Sequence, residues 1–143
     1  MPTEGVVDAL KKMHSVLRPG GVMLDSRPEP SPVAVTLKTA TASTQVGMLA
    51  CTSGFAHAIT RAADALSLVV NDGLFHGVVS VDYSMLIYID SFEEWQQFMK
   101  KWSSYYLPFD ESVTGLIRDR LEVVGTQLIL DTSVSTTRYT RSA

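Results

Sequence analysis

Three groupings of side chains have the types that chemistry requires. Cys51-Thr52-Ser53-Gly54 precedes an apolar-periodic stretch, with His57 one turn further along. A thiol or hydroxyl acts as a nucleophile only with a base in hydrogen-bond reach, and His57 is the nearest in sequence. The plainer reading is a buried free thiol followed by a Thr or Ser helix cap, and the spacing favours it. Asp90, Glu93 and Glu94 would suit paired-carboxylate acid–base work. In Ser91-Phe92-Glu93-Glu94, however, Ser and Glu stand three positions apart before an apolar stripe, the pattern of a capping box. Trp95, Phe98 and Trp102 would suit a ligand-stacking platform, but at helical spacing they read as core. The histidines, His14, His57 and His76, have no His-x-x-x-His spacing, so no metal site is expected. No residue is assigned a catalytic role.

The elements that must position these groups are readable in order. Val6, Leu10, Met13 and Leu17 mark one helical face, with Thr3 as its cap. That helix runs into Arg18-Pro19-Gly20-Gly21 and re-emerges as the short apolar strand Val22-Met23-Leu24. A basic residue in the last turn followed by Pro and Gly is a helix stop, and Gly20 or Gly21 can turn left-handed. The apolar triplet predicts a strand covered on both faces. Asp25 to Pro32 contains three prolines and reads as an extended loop. Residues 33–37 and 45–49 predict a β-hairpin. A helix follows from Thr52 or Ser53 to Gly73, with Phe55, Ile59, Ala62, Leu66 and Val69 or Val70 inward.

Val79, Val81, Tyr83, Met85, Ile87 and Ile89 then alternate with Ser80, Asp82, Ser84 and Asp90, with Leu86 and Tyr88 among the latter, predicting a long half-buried strand antiparallel to its neighbour. Helices are expected over the Trp95 stripe and after Asp110, with Pro108 between them. A last strand alternates Leu128, Leu130, Thr132, Val134 and Thr136 with Gln127, Asp131, Ser133 and Ser135.

The 143 residues fit a single domain, 1–143, able to bury a core without staples. A formal net charge of −3 without a basic block argues against a nucleic-acid surface. The single cysteine excludes an intrachain disulfide. No apolar run reaches the length of a membrane span and no apolar signal core opens the chain, so a soluble cytoplasmic protein is expected.

Asp8 to Leu24, around Leu17-Arg18-Pro19-Gly20-Gly21, resembles the late helix and fifth strand of class I S-adenosylmethionine-dependent methyltransferases. Asn71-Asp72-Gly73-Leu74-Phe75 and Asp90-Ser91-Phe92-Glu93-Glu94-Trp95 are more loosely similar. The resemblance implies an α/β fold. This would be a partial Rossmann-like sheet of one short apolar strand, two long antiparallel strands and a hairpin, packed with about four helices. It implies the back half of the catalytic domain, without the half that holds the cofactor. No Gly-x-Gly follows a strand, so no cofactor-binding residue maps onto the chain. No cofactor is expected for this chain alone, and S-adenosylmethionine only if a partner completes the site.

Asp25, Ser26 and Arg27 follow the first strand, beyond whose carboxyl end ligands of open α/β sheets bind. By the resemblance they would face the substrate; otherwise they are a polar loop exit. A truncated domain leaves the strand Val22–Leu24 with a free edge, to be closed by a second copy, a partner subunit or the hairpin at 33–50. The first functional expectation is therefore a methyltransferase-like binding or oligomeric module that is not catalytic alone. The alternatives are a methyltransferase whose cofactor half comes from another chain, and an unrelated small α+β ligand-binding protein.

Overall fold

A computed structural model of the chain describes residues 3–143, except for the Thr3 side chain, on which the expected first cap falls. Within them the order is α1 (Thr3–Val16), β1 (Val22–Pro28), β2 (Val33–Lys38), β3 (Ser43–Leu49), α2 (Ser53–Asn71), β4 (Phe75–Ile89), α3 (Phe92–Lys101), α4 (Glu111–Leu121) and β5 (Gln127–Arg141). The strands form an open antiparallel sheet in the order β1-β5-β2-β3, with β4 also paired to β5.

That sheet corrects the Rossmann-like expectation. A Rossmann-like sheet is built of parallel neighbours joined by helical crossovers. Here β1 runs antiparallel to β5, from Val22 opposite Thr140 to Pro28 opposite Val134. β2 is antiparallel to both β5 and β3. The fold is α+β. Nor is β1 covered on both faces: Val22 and Leu24 are exposed and Met23 is half-buried. The strand is seven residues long, and its apolar triplet is too short to reveal the alternation.

The chain divides into two compact units, Met1–Glu29 with Ala56–Tyr83 and Val134–Ala143, and Pro30–Phe55 with Ser84–Ser133. The core of the first is Leu10 from α1, Ala65, Leu66 and Val69 from α2, Phe75 and Tyr139. His14 meets the Phe75 ring edge to face at 5.5 Å, which accounts for its place beside the apolar stripe. Burial, then the nearby Asp25 carboxylate, pushes the Tyr139 hydroxyl above its ordinary pKa. The core of the second unit is built on the inward alternation of β2, Val33, Val35 and Leu37, with Leu128, Leu130, Trp95 and Ile117. Trp95 lies within a run of rings, 6.0 Å from both Phe98 and Phe109, so Trp95 is core and Phe98 packs against it as the spacing predicts, while Trp102 is half-buried outside that cluster.

Local chemistry sets the element ends. Gly20 takes φ 74°, and its N–H donates to the Arg141 carbonyl. Gly21 places its Cα where a Cβ would stand 2.7 Å from the Arg18 carbonyl oxygen, so the turn needs glycine there for space. Ser91 Oγ accepts from the Glu94 N–H, and Glu94 Oε2 accepts from the Asp90 N–H, closing the opening turn of α3. Asp110 Oδ1 accepts from the Val113 N–H at 2.9 Å and starts α4. Replacing Asp110 with Ala removes that acceptor and a negative charge from the positive end of the helix, and should cost about 1 kcal/mol. Urea denaturation should show a lowered midpoint at unchanged slope; an unchanged midpoint would mean that the cap contributes nothing.

Candidate functional site

Asp25, Ser26 and Arg27 lie within β1 rather than beyond it. A strand sends successive side chains to opposite faces, so the three do not converge on one pocket. Arg27 Nε donates to Asp25 Oδ2 at 2.7 Å, and Arg27 Nη1 donates to the Ile59 carbonyl of α2 at 3.2 Å. The guanidinium thereby ties β1 to α2 within one unit. It borders a shallow cleft of about 270 Å³ lined by Leu66, Val70, Val78 and Tyr139 among others. Two of its nitrogens are already committed, and the neighbouring phenol is harder to ionise than usual, so this arrangement holds a fold rather than moving a proton.

Ser26 points the other way. Its Oγ lies 2.8 Å from Thr136 Oγ1 and 3.3 Å from the Tyr83 hydroxyl, to which Thr136 also donates at 3.3 Å. Bonding to Ser26, then to Thr136, lowers the phenol pKa. The cluster holds no carboxylate or imidazole. It ties β1, β5 and β4 side by side and lays the Tyr83 ring across the strands.

Cys51 Sγ donates to the Ser31 carbonyl at 3.4 Å, and burial pushes the thiol pKa up. A reactive cysteine needs the opposite shift. Thr52 Oγ1 accepts from the Phe55 N–H and donates to the Ser104 carbonyl, so it is the cap of α2 that the spacing predicts. His57 is exposed on α2, and His76 Nδ1 lies 3.1 Å from Ser142 Oγ. Among the described residues no group of three His, Cys, Asp or Glu side chains is placed to hold a metal ion.

The unusual surface is β4. Its fifteen residues pair with β5 alone among the described strands. Every residue from His76 to Leu86, and Tyr88, is exposed. Val81 is 61% exposed, Tyr88 54% and Val79 49%; Val78, Tyr83, Met85 and Leu86 are only slightly less open. Edge strands of proteins that stay single are short or carry Lys or Pro against pairing. β4 has neither, and Asp82 is its only carboxylate.

No protein-family model, curated protein or solved structure matches this chain. With the sheet antiparallel, the methyltransferase resemblance is therefore overturned. The Leu-Arg-Pro-Gly-Gly run is a helix-stop turn that needs no family to explain it. The substrate-facing role that the resemblance lent to Asp25, Ser26 and Arg27 falls with it. No described helix is long and apolar enough to cross a membrane.

Sequence reasoning placed the free edge at Val22–Leu24. β1 does stand at one end of the strand order, with Leu24 67% exposed. The hairpin does not cover it, since β2 pairs with β3 and β5. β1 is half the length of β4 and ends on Pro28, so it is the weaker edge. The signal for the longer edge is the run from Val78 to Tyr88, free of Lys and Pro, in which Leu86 and Tyr88 interrupt the polar side of the alternation.

Proposed function

We propose that the chain is a binding module that works as a two-fold dimer, its copies joined edge to edge along β4. The observation that carries this reading is the exposure of a fifteen-residue, nearly uncharged edge strand. Such a strand presents a row of unpaired N–H and C=O groups flanked by apolar side chains, a template for another strand.

A second copy fits that template by its own symmetry. Antiparallel pairing about Tyr83 sets Val81 opposite Met85 and Val79 opposite Ile87 of the other copy. On the other face it sets Asp82 opposite Ser84, whose hydroxyl can donate to the carboxylate, and Val78 opposite Tyr88. Moving the centre to Asp82 would set two carboxylates face to face, which is destabilising. Moving it to Ser84 would set Asp82 against Leu86. Of these three centres, Tyr83 leaves no carboxylate against a carboxylate or an aliphatic chain.

Seven large side chains, each about half exposed, offer roughly 600 Å² per copy. A pair can bury at most roughly 1,200 Å², the lower bound of stable, specific interfaces. Light scattering on the eluted protein tests the reading. A mass near twice 15.6 kDa, with slow amide exchange along the outward N–H groups of β4, is the expected result. A single-copy mass at 100 µM with rapid exchange along β4 would overturn it.

A further inference from the structure

Within the second unit, α3, α4 and the segment between them border an open cleft of about 420 Å³. That is ample for one small ligand. Its apolar side is made by Phe92, Met99, Pro108 and Phe109, with Trp95 at its base. Its polar side is Gln96, Thr114 and the charged pair Arg118 and Glu111. The Arg118 guanidinium sits over the Phe92 ring at 5.0 Å, and its Nη2 donates to Glu111 Oε1 at 3.3 Å. The Glu111 side chain is 83% exposed and held in the structure by that one long contact, whereas Arg118 is 43% exposed and packed on a ring.

These two residues play unequal parts. Stacking on Phe92 pre-orients the planar fork of Arg118, so that little freedom is lost when it takes a carboxylate. Glu111 marks where that carboxylate goes. An exposed single-contact ion pair is worth well under about 1 kcal/mol, so Glu111 can swing into water at small cost. A carboxylate attached to a ring can then take its place while the ring fills the apolar side.

We infer that the α3–α4 cleft binds a small aromatic carboxylate, its ring against Phe92, Met99 and Phe109 and its carboxylate on Arg118 in place of Glu111. A neutral apolar ligand would leave Arg118 unused, and a cation would meet it as a like charge. This site lies wholly in one unit and does not depend on association through β4.

Calorimetric titration with 2-naphthoate, and with its uncharged amide as control, tests the assignment. The wild-type chain should give saturable one-to-one binding of the acid, about tenfold tighter than the amide. Arg118→Gln should weaken the acid about tenfold and leave the amide unchanged. Glu111→Gln removes the internal competitor and should tighten the acid about threefold without affecting the amide. A gain of affinity cannot come from a misfolded variant, so Glu111→Gln guards against a trivial explanation of the loss. No saturable heat at 5 mM naphthoate, equal losses for acid and amide in Arg118→Gln, or no gain in Glu111→Gln would each overturn the inference.

Discussion

Phe75→Ala should lower the stability of the protein by about 3–5 kcal/mol, the range for removing a fully buried phenylalanine. Phe75 is 2% exposed and packs with Leu10, Ala65, Leu66 and Val69, a small core for its unit. Two rings lean on it edge to face or nearly so, His14 at 5.5 Å and Tyr139 at 6.3 Å. Truncation forfeits the transfer energy of the ring and also leaves a void that the neighbouring side chains of α1 and α2 fill only in part. The two aromatic contacts, each worth about 0.5–1.5 kcal/mol beyond area, place the loss in the upper part of the range. Phe75→Leu keeps most of the volume and should cost about 1–2 kcal/mol. Urea denaturation of both variants at one protein concentration gives the comparison. A loss below 1 kcal/mol for Phe75→Ala would mean that the Leu10–Phe75–Tyr139 cluster is not a structural core.

What was legible in the sequence is what depends on neighbours along the chain. Ser91 with Glu94, Asp110 with Val113 and the Thr52 cap are side chains bonding to backbone three or four residues away, so spacing alone specifies them. Gly73, at φ 77°, ends α2 for the same local reason. The hairpin of β2 and β3 was readable because turn and strands are contiguous. The direction of the two long strands was readable too, but that of β1 was not. Arg18-Pro19-Gly20-Gly21 announces that a helix stops and a strand begins, but says nothing of which strand lies beside β1. That neighbour, β5, is more than a hundred residues further along.

Asp25, Ser26 and Arg27 were read as a loop rather than a strand because Pro28, Pro30 and Pro32 follow or punctuate them. Pro28 instead closes a strand, where a missing N–H costs little. For β4, alternation implied a buried face. Alternation distinguishes two faces but does not say that either is covered. On β5 the burial itself changes parity, from Leu128, Leu130, Thr132 and Val134 to Thr137 and Tyr139. No single period along the strand predicts that.

Val81→Lys should convert the proposed dimer to single copies, raising its dissociation constant at least about a hundredfold. Val81 is 61% exposed in one copy, so a lysine there keeps its ammonium in water and the isolated fold should be unaffected. In the dimer the same position lies opposite Met85 of the other copy. Two lysines, one from each chain, then lose solvent against methionine, at roughly 1.5 kcal/mol or more each, and roughly 3 kcal/mol is a factor of a hundred or more. Val81→Thr keeps the β-branch and should weaken association only a few-fold. Asp82→Asn separates charge from shape. In the register centred on Tyr83 the two Asp82 carboxylates are diagonal neighbours, so neutralising them should tighten the dimer, more at low salt than at high. Sedimentation equilibrium on these three variants, on Leu24→Lys and on the wild type reads these shifts directly. If Val81→Lys leaves the association constant unchanged while Leu24→Lys abolishes association, the copies pair through β1, and the reading of β4 as the joining edge is wrong.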